Sequence, residues 1–173
     1  MESSRYGFHL DRVAVYWTIM HIIAFVIVGL FIYAFYVGGF FSAWFISFVV
    51  ALIILMVLSV PRYVEVDDRQ LSIVCVLDRT DIKIDRIISI KKVSPRKIRW
   101  VLPVFGGCGF LGYYGHFFDF RHFTKVVIYA TEWRYLVEIT DAYEDLYYIS
   151  CRDRDRLVAE IKEKQIALMR GGL

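Results

Sequence analysis

Residues 13–37 contain no Asp, Glu, Lys or Arg. At ~1.5 Å per residue, a helix of that length exceeds the ~30 Å hydrocarbon core of a bilayer and leaves room for tilt. A second uncharged run, 40–60, follows after Gly38-Gly39, where glycine permits a reversal without strain. The pattern predicts a tight hairpin of two transmembrane helices, 13–37 and 40–60, behind an N-terminal arm, 1–12. Composition agrees. The 173 residues are 58% hydrophobic with a mean hydropathy of +0.49, too apolar for an ordinary soluble domain of this size.

The cations set the orientation. Arg5 and Arg12 precede the first run and Arg62 and Arg69 follow the second, whereas the connecting turn carries none. By the positive-inside rule both termini face the cytoplasm, which makes the chain a multi-pass protein of the cytoplasmic membrane. A cleavable signal peptide is the competing reading; the stretch is too long for its apolar region, and a second span follows at once. Tyr16 and Trp17 near one end, with Tyr33 and Trp44 near the other, stand where interfacial aromatic anchors belong. His21 is an ionisable group inside the first span and demands a partner. In an antiparallel hairpin its level meets the region 56–59, so a neutral imidazole bonded to Ser59 is the expected arrangement. Proton handling or ligand binding by His21 is the functional alternative.

Past Pro61 the period changes to short runs rich in Val, Ile and Tyr, separated by polar turns. Strands are expected at 62–67, 70–77, 81–85, 87–94, 125–131, 134–140 and 145–151. Ile82 and Ile84 alternate with Lys83 and Asp85, so one sheet face is wet. A C-terminal helix follows. Ser150 and Asp153 have capping-box spacing, and Leu157, Val158, Ile161 and Leu168 form one apolar stripe.

Two spans lead into Tyr63-Val64-Glu65-Val66 and Ile84-Asp85-Arg86-Ile87-Ile88-Ser89-Ile90. A Gly-rich aromatic stretch, 105–115, comes next, then Val127-Ile128-Tyr129-Ala130-Thr131, and Tyr148-Ile149-Ser150 before the helix. This order resembles small bacterial membrane proteins that carry a bacterial PH-like (pleckstrin-homology-like) domain. The resemblance implies a mainly-β domain over 61–173: about seven antiparallel strands in a partly open barrel, closed by an amphipathic helix. It also implies a non-enzymatic, membrane-tethered module. Lipid-reading PH domains gather basic residues at the loop between their first two strands. Here that turn is Asp67-Asp68-Arg69-Gln70, acidic on balance, which disfavours polyphosphate binding.

Residues 95–124 break the strand rhythm and read as an insert of glycines and aromatics. Arg96, Lys97 and Arg99 lie just upstream of Trp100, Phe105, Phe110, Tyr113, Tyr114 and Phe117. With no linker after the second span, this segment is the expected membrane or partner surface, its rings in the headgroup zone and its cations near anionic phosphate. Two other readings stay open: the aromatics complete the barrel core or a strand pair, or they form a subunit interface.

Gly107-Cys108-Gly109-Phe110-Leu111-Gly112 fits G-x-G-x-x-G, with Glu132 some twenty residues on. A dinucleotide site needs a strand before this motif and a helix after it, and Tyr113-Tyr114-Gly115-His116 is a poor helix start. Cys108, His116 and His122 lack a recognised metal spacing. Asp119 with the two histidines has no nucleophile placed beside it. The three cysteines, Cys75, Cys108 and Cys151, form neither a disulfide framework nor a zinc knuckle. A net charge of +3 without a dense basic tract argues against nucleic acid.

The residues therefore call for no catalytic group, cofactor, metal or small-molecule substrate. The expected function is a binding or scaffolding module with membrane lipid and a protein partner or second copy. The alternative is an accessory subunit of a transport or channel system that works through the helix hairpin.

Overall fold

A computed structural model describes residues 3–35, 40–98 and 100–171. Gly38-Gly39 and Arg99 lie outside the described residues. The two uncharged runs form helices α1 (Arg12–Phe35) and α2 (Phe40–Leu58), which pack on each other. A stripe on α1 (Ala14, Thr18, His21, Phe25, Gly29 and Ile32) is less exposed than the side chains around it, spaced by threes and fours as a helix seam requires. The rest of the helix surface is apolar and open: Ile27, Leu30 and Leu55 are all exposed. By length and composition one helix, over Arg12–Ala34, can cross a membrane, and the second gives a shorter apolar stretch, Ala43–Leu58.

The strands, one before α1 and the rest after α2, form two sheets. The first holds β1 (Ser4–Gly7), β2 (Pro61–Val66), β3 (Gln70–Cys75) and β4 (Arg79–Lys83) in that order, all antiparallel. The arm 1–12 thus contains a strand that the pattern did not predict, because four residues are too few to show alternation. Its Tyr6 is buried and donates to Glu160, and Arg5 pairs with Glu65 at 2.9 Å.

The second sheet has the order β5 (Ile87–Val93), β9 (Leu136–Asp141), β10 (Leu146–Ser150), β8 (Thr124–Ala130), β7 (Tyr113–Asp119) and β6 (Val101–Cys108). The described residues hold ten strands, not about seven, and β10 runs parallel to β8. That pairing follows from the β9–β10 hairpin, whose return strand lies between β9 and β8.

Helix α3 (Arg154–Gly171) closes the domain with Leu157 and Ile161 fully buried against Ile82, Ile84, Ile139 and Ile149. Asp153 stands at its start, where its carbonyl accepts from Leu157 N–H at 2.9 Å. Ser150 is no cap: its Oγ accepts from Thr131 N–H at 3.0 Å inside the fold. Gln165 ties the helix to the sheet, donating to the carbonyls of Ile84 and Ile87.

Candidate functional site

The segment 95–124 is a hairpin, not a structureless insert. A short 3-10 turn, Pro95–Ile98, leads into β6, which pairs with β7 from Val101↔Asp119 to Cys108↔Tyr113. Pro103 and a run of glycines hide β6 from propensity. The signals that point to it are the β-branched and aromatic residues on both sides of the glycines.

Pairing decides where each ring goes. β7 lies between β6 and β8, so its odd-numbered residues Tyr113 and Phe117 enter a second core with Ile98, Val126, Ile128 and Tyr148. Tyr113 packs on Trp133 with centroids 4.3 Å apart. Tyr114 enters the first core, and Phe110 is buried at the tip. Phe110, Tyr113, Tyr114 and Phe117 are therefore packing residues and not surface: both faces of β7 are covered by a core, and Phe110 is buried in the turn before it.

Trp100 and Phe105 are exposed, the latter at 78%. Sequence reasoning missed their neighbours Leu102 and Val104, exposed on the outer strand β6 that also carries Phe105. At the base of the hairpin Phe120 and Phe123 are also exposed, with the Phe118 ring 5.1 and 6.3 Å from theirs.

The expected cation group divides. Arg96 is exposed. The Lys97 ammonium pairs with the buried Glu138 carboxylate, which also accepts from the Tyr148 hydroxyl at 3.0 Å. Lys97 is thus committed to the domain's own core.

His21 does not bond Ser59. Its Nδ1–H donates to the Trp17 carbonyl at 2.7 Å, and the Ser59 hydroxyl donates to Leu55 at 3.0 Å. Each polar group is satisfied by the helix that carries it, as Ser and Thr commonly are in apolar helices.

The glycine motif makes the hairpin turn. Gly109 N–H donates to the Gly112 carbonyl at 2.9 Å, with a strand on either side and no helix after it. Gly109 has φ +88°, and a Cβ there would meet Trp17 at 3.2 Å, so the tip needs glycine both for its backbone and for its approach to α1. Glu132 is buried and faces Arg152 at 3.5 Å. Among the described residues no group of three His, Cys, Asp or Glu could hold a metal.

Asp119 is almost fully buried at the end of β7. Burial pushes its pKa up. The bond from His122 at 2.8 Å, the N–H of Arg121 at 2.8 Å and the nearby imidazole outweigh that, holding the carboxyl below its ordinary value.

The hairpin is bonded to both helices. Thr18 Oγ1 donates to Ala14 at 2.7 Å and accepts from Leu111 N–H at 2.8 Å. The Tyr114 hydroxyl donates to the Met56 carbonyl at 2.7 Å. Leu77 and Val76 N–H groups reach the carbonyls of Leu58 and Val60 at 3.0 and 3.1 Å. Between the end of α2 and the two sheets lies a cavity of about 170 Å³ lined by Ser59, Cys75, Asp78, Phe105, His116 and Tyr129 among others. Burial and the nearby Asp78 push the Cys75 thiol up to about 11, so it remains protonated at neutral pH. The arrangement can bind and brace.

Compared with known families, residues 62–165 match the one described as bacterial PH domain. No curated protein and no solved structure matches the chain.

Proposed function

Since the chain belongs to the bacterial PH domain family, we propose that it is a membrane-anchored, non-catalytic binding module at the cytoplasmic membrane face. Domains of this kind are in general binding modules. Here α1 and α2 form the anchor, and the domain serves a protein partner or a second copy of the chain, with peripheral lipid contact. The division into anchor 13–60 and domain 61–173 needs one amendment, since the arm residues Ser4–Gly7 pair with β2 and belong with the domain.

The observation that carries this reading is the open apolar surface of both helices. Ile27, Leu30, Ile46, Leu55 and their neighbours remain exposed while the domain has two closed cores of its own. A contiguous apolar surface of that extent requires lipid or protein around it. The flanking cations, Arg12 and Arg62, favour cytoplasmic termini. The transport reading has less behind it, because His21 bonds its own helix.

The test is impermeant thiol labelling of intact cells carrying Cys108→Ser, which removes the exposed native thiol. With Gly38→Cys added, label should enter from outside. With Phe123→Cys instead, it should enter after permeabilisation only. Label reaching Phe123→Cys in sealed cells, or recovery of the chain in the soluble fraction, would overturn the reading. Crosslinking in native membranes followed by mass spectrometry then identifies the partner.

A further inference from the structure

We infer that the β6–β7 hairpin lies in the plane of the membrane interface and presents the open edge of β6, through Leu102, Val104 and Phe105, to the lipid headgroup region. This deepens the membrane-anchored reading and rests on it.

The first ground is direction. Near its tip the hairpin touches α1, where Leu111 bonds Thr18 and Gly109 faces Trp17 and His21. Further back it reaches α2, where Tyr114 bonds Met56, and then Ser59, which shares a cavity with Phe105 and His116. The hairpin therefore bridges the two helices, its tip on α1 and Tyr114 of β7 on α2, and Leu102, Val104 and Phe105 follow on the strand leading away from that tip.

The second ground is depth. Thr18 is six residues inside Arg12, and Met56 is six residues inside Arg62. Along α1 the hairpin sits ~9 Å to the membrane side of Arg12, and on α2 its contact is two residues before the helix ends at Leu58. That is the level of Tyr16 and Trp17, in the zone where headgroups give way to acyl chains.

The third ground is chemistry. β6 is the outer strand of its sheet, and Leu102, Val104 and Phe105 are 56%, 69% and 78% exposed. Apolar side chains favour the membrane here, whereas unpaired backbone N–H and C=O groups cannot enter hydrocarbon. The headgroup region accommodates both. At the base of the hairpin Trp100, Phe120 and Phe123 stand beside Arg121 and Lys125, all exposed, a pairing suited to an anionic leaflet. Edge-to-edge pairing with a second copy fits less well. Pro103 removes a donor, and the register shifts between Pro103 and Phe105, two devices that blunt an edge against strand addition.

The experiment uses the full chain with Cys108→Ser in nanodiscs of mixed anionic and zwitterionic lipid. An environment-sensitive fluorophore is placed at Val104→Cys or Phe105→Cys, with Ile27→Cys on α1 and Ile88→Cys on β5, at the opposite edge of the same sheet, as references. All four positions are exposed, and Cys75 and Cys151 are buried, so their continued resistance to thiol reagent reports a folded domain. Fluorophores at 104 and 105 should be quenched by lipid carrying a nitroxide near the headgroup, less by one deep in the acyl chain, and little by aqueous iodide. Ile27 should respond to the deep quencher and Ile88 to iodide alone. If 104 and 105 behave like Ile88 while Ile27 is quenched by lipid, the hairpin is not interfacial and the anchor stands. If Ile27 also responds to iodide alone, the anchor is lost and the hairpin with it. Protection from every quencher, with energy transfer between labelled copies, would make β6 a contact between subunits and overturn the inference.

Discussion

The Tyr114 hydroxyl, on β7, donates to the main-chain carbonyl of Met56 at 2.7 Å, so the second sheet is bonded directly to the last turn of α2. That turn tightens at its end: Val60 N–H reaches the Val57 carbonyl at 3.2 Å, and the Met56 carbonyl takes the phenol. A side chain thus caps a helix C-terminus from another element, satisfying a carbonyl of the kind that helix ends leave open. Tyr114→Phe should keep the packing and remove the cap, at ~1–2 kcal/mol. Hydrogen exchange on the chain in nanodiscs should show faster exchange at 56–60 and 105–115 with little change in α3. Unchanged protection at both segments would mean that the bond contributes nothing to docking.

Lys97 and Arg96 are adjacent and should behave differently. Lys97 neutralises Glu138, whose side chain is 8% exposed, while Arg96 is open. Lys97→Gln should lower stability by ~1–2 kcal/mol, less than a fully buried pair would lose because the ammonium is partly solvated. Arg96→Gln should stay within ~0.5 kcal/mol of the parent. Thermal midpoints in detergent would separate them, and equal midpoints would count against the role given to Glu138.

Asp119 supplies an acid limb to stability. Its carboxyl titrates below the ordinary range in the folded chain. The folded state therefore binds fewer protons there than the unfolded state does. The stability this contributes is present above the unfolded pKa of ~3.9 and is lost as pH falls through the lower folded value. Asp119→Asn should make the loss of thermal midpoint between pH 6 and pH 3 shallower. It should also reduce the midpoint at pH 7, where the carboxylate that accepts from His122 and Arg121 is replaced by a neutral amide. An acid limb of the parent slope in Asp119→Asn would place the sensitivity in other carboxylates.

Leu157 and Ile161 hold α3 on the sheet with no exposed surface, whereas Ile166 on the same helix is 51% exposed. Leu157→Asp or Ile161→Asp buries an unpaired charge, a cost of ~3–5 kcal/mol against a typical stability of ~5–15 kcal/mol. Ile166→Asp should be nearly silent. Limited proteolysis would show the domain lost in the first two and intact in the third; resistance in all three would mean that α3 does not brace the sheet.

The sequence by itself determined the elements whose signals are local and continuous. Uncharged apolar runs make α1 and α2 whatever surrounds them, because a helix satisfies its own backbone. Alternating Val, Ile and Tyr marked β2, β3, β5, β8, β9 and β10, Ile82 marked β4 although the strand ends at Lys83 and Ile84–Arg86 is a 3-10 turn, and the Leu157–Ile161–Leu168 stripe marked α3. What the tertiary structure decided is which side of each strand meets a neighbour. Tyr113, Tyr114 and Phe117 carry the same composition as Trp100 and Phe105, yet both faces of β7 are covered by a core while Trp100, before β6, and Phe105, on it, enter neither, so three rings are buried and two exposed. Strand β1 stayed hidden because pairing with β2, not its own four residues, makes it a strand. Lys97 looked like a free cation because Glu138, its partner, is far away in sequence and arrives only when β9 joins the sheet. Burial and pairing depend on neighbours brought by distant parts of the chain, and no local window of residues contains them.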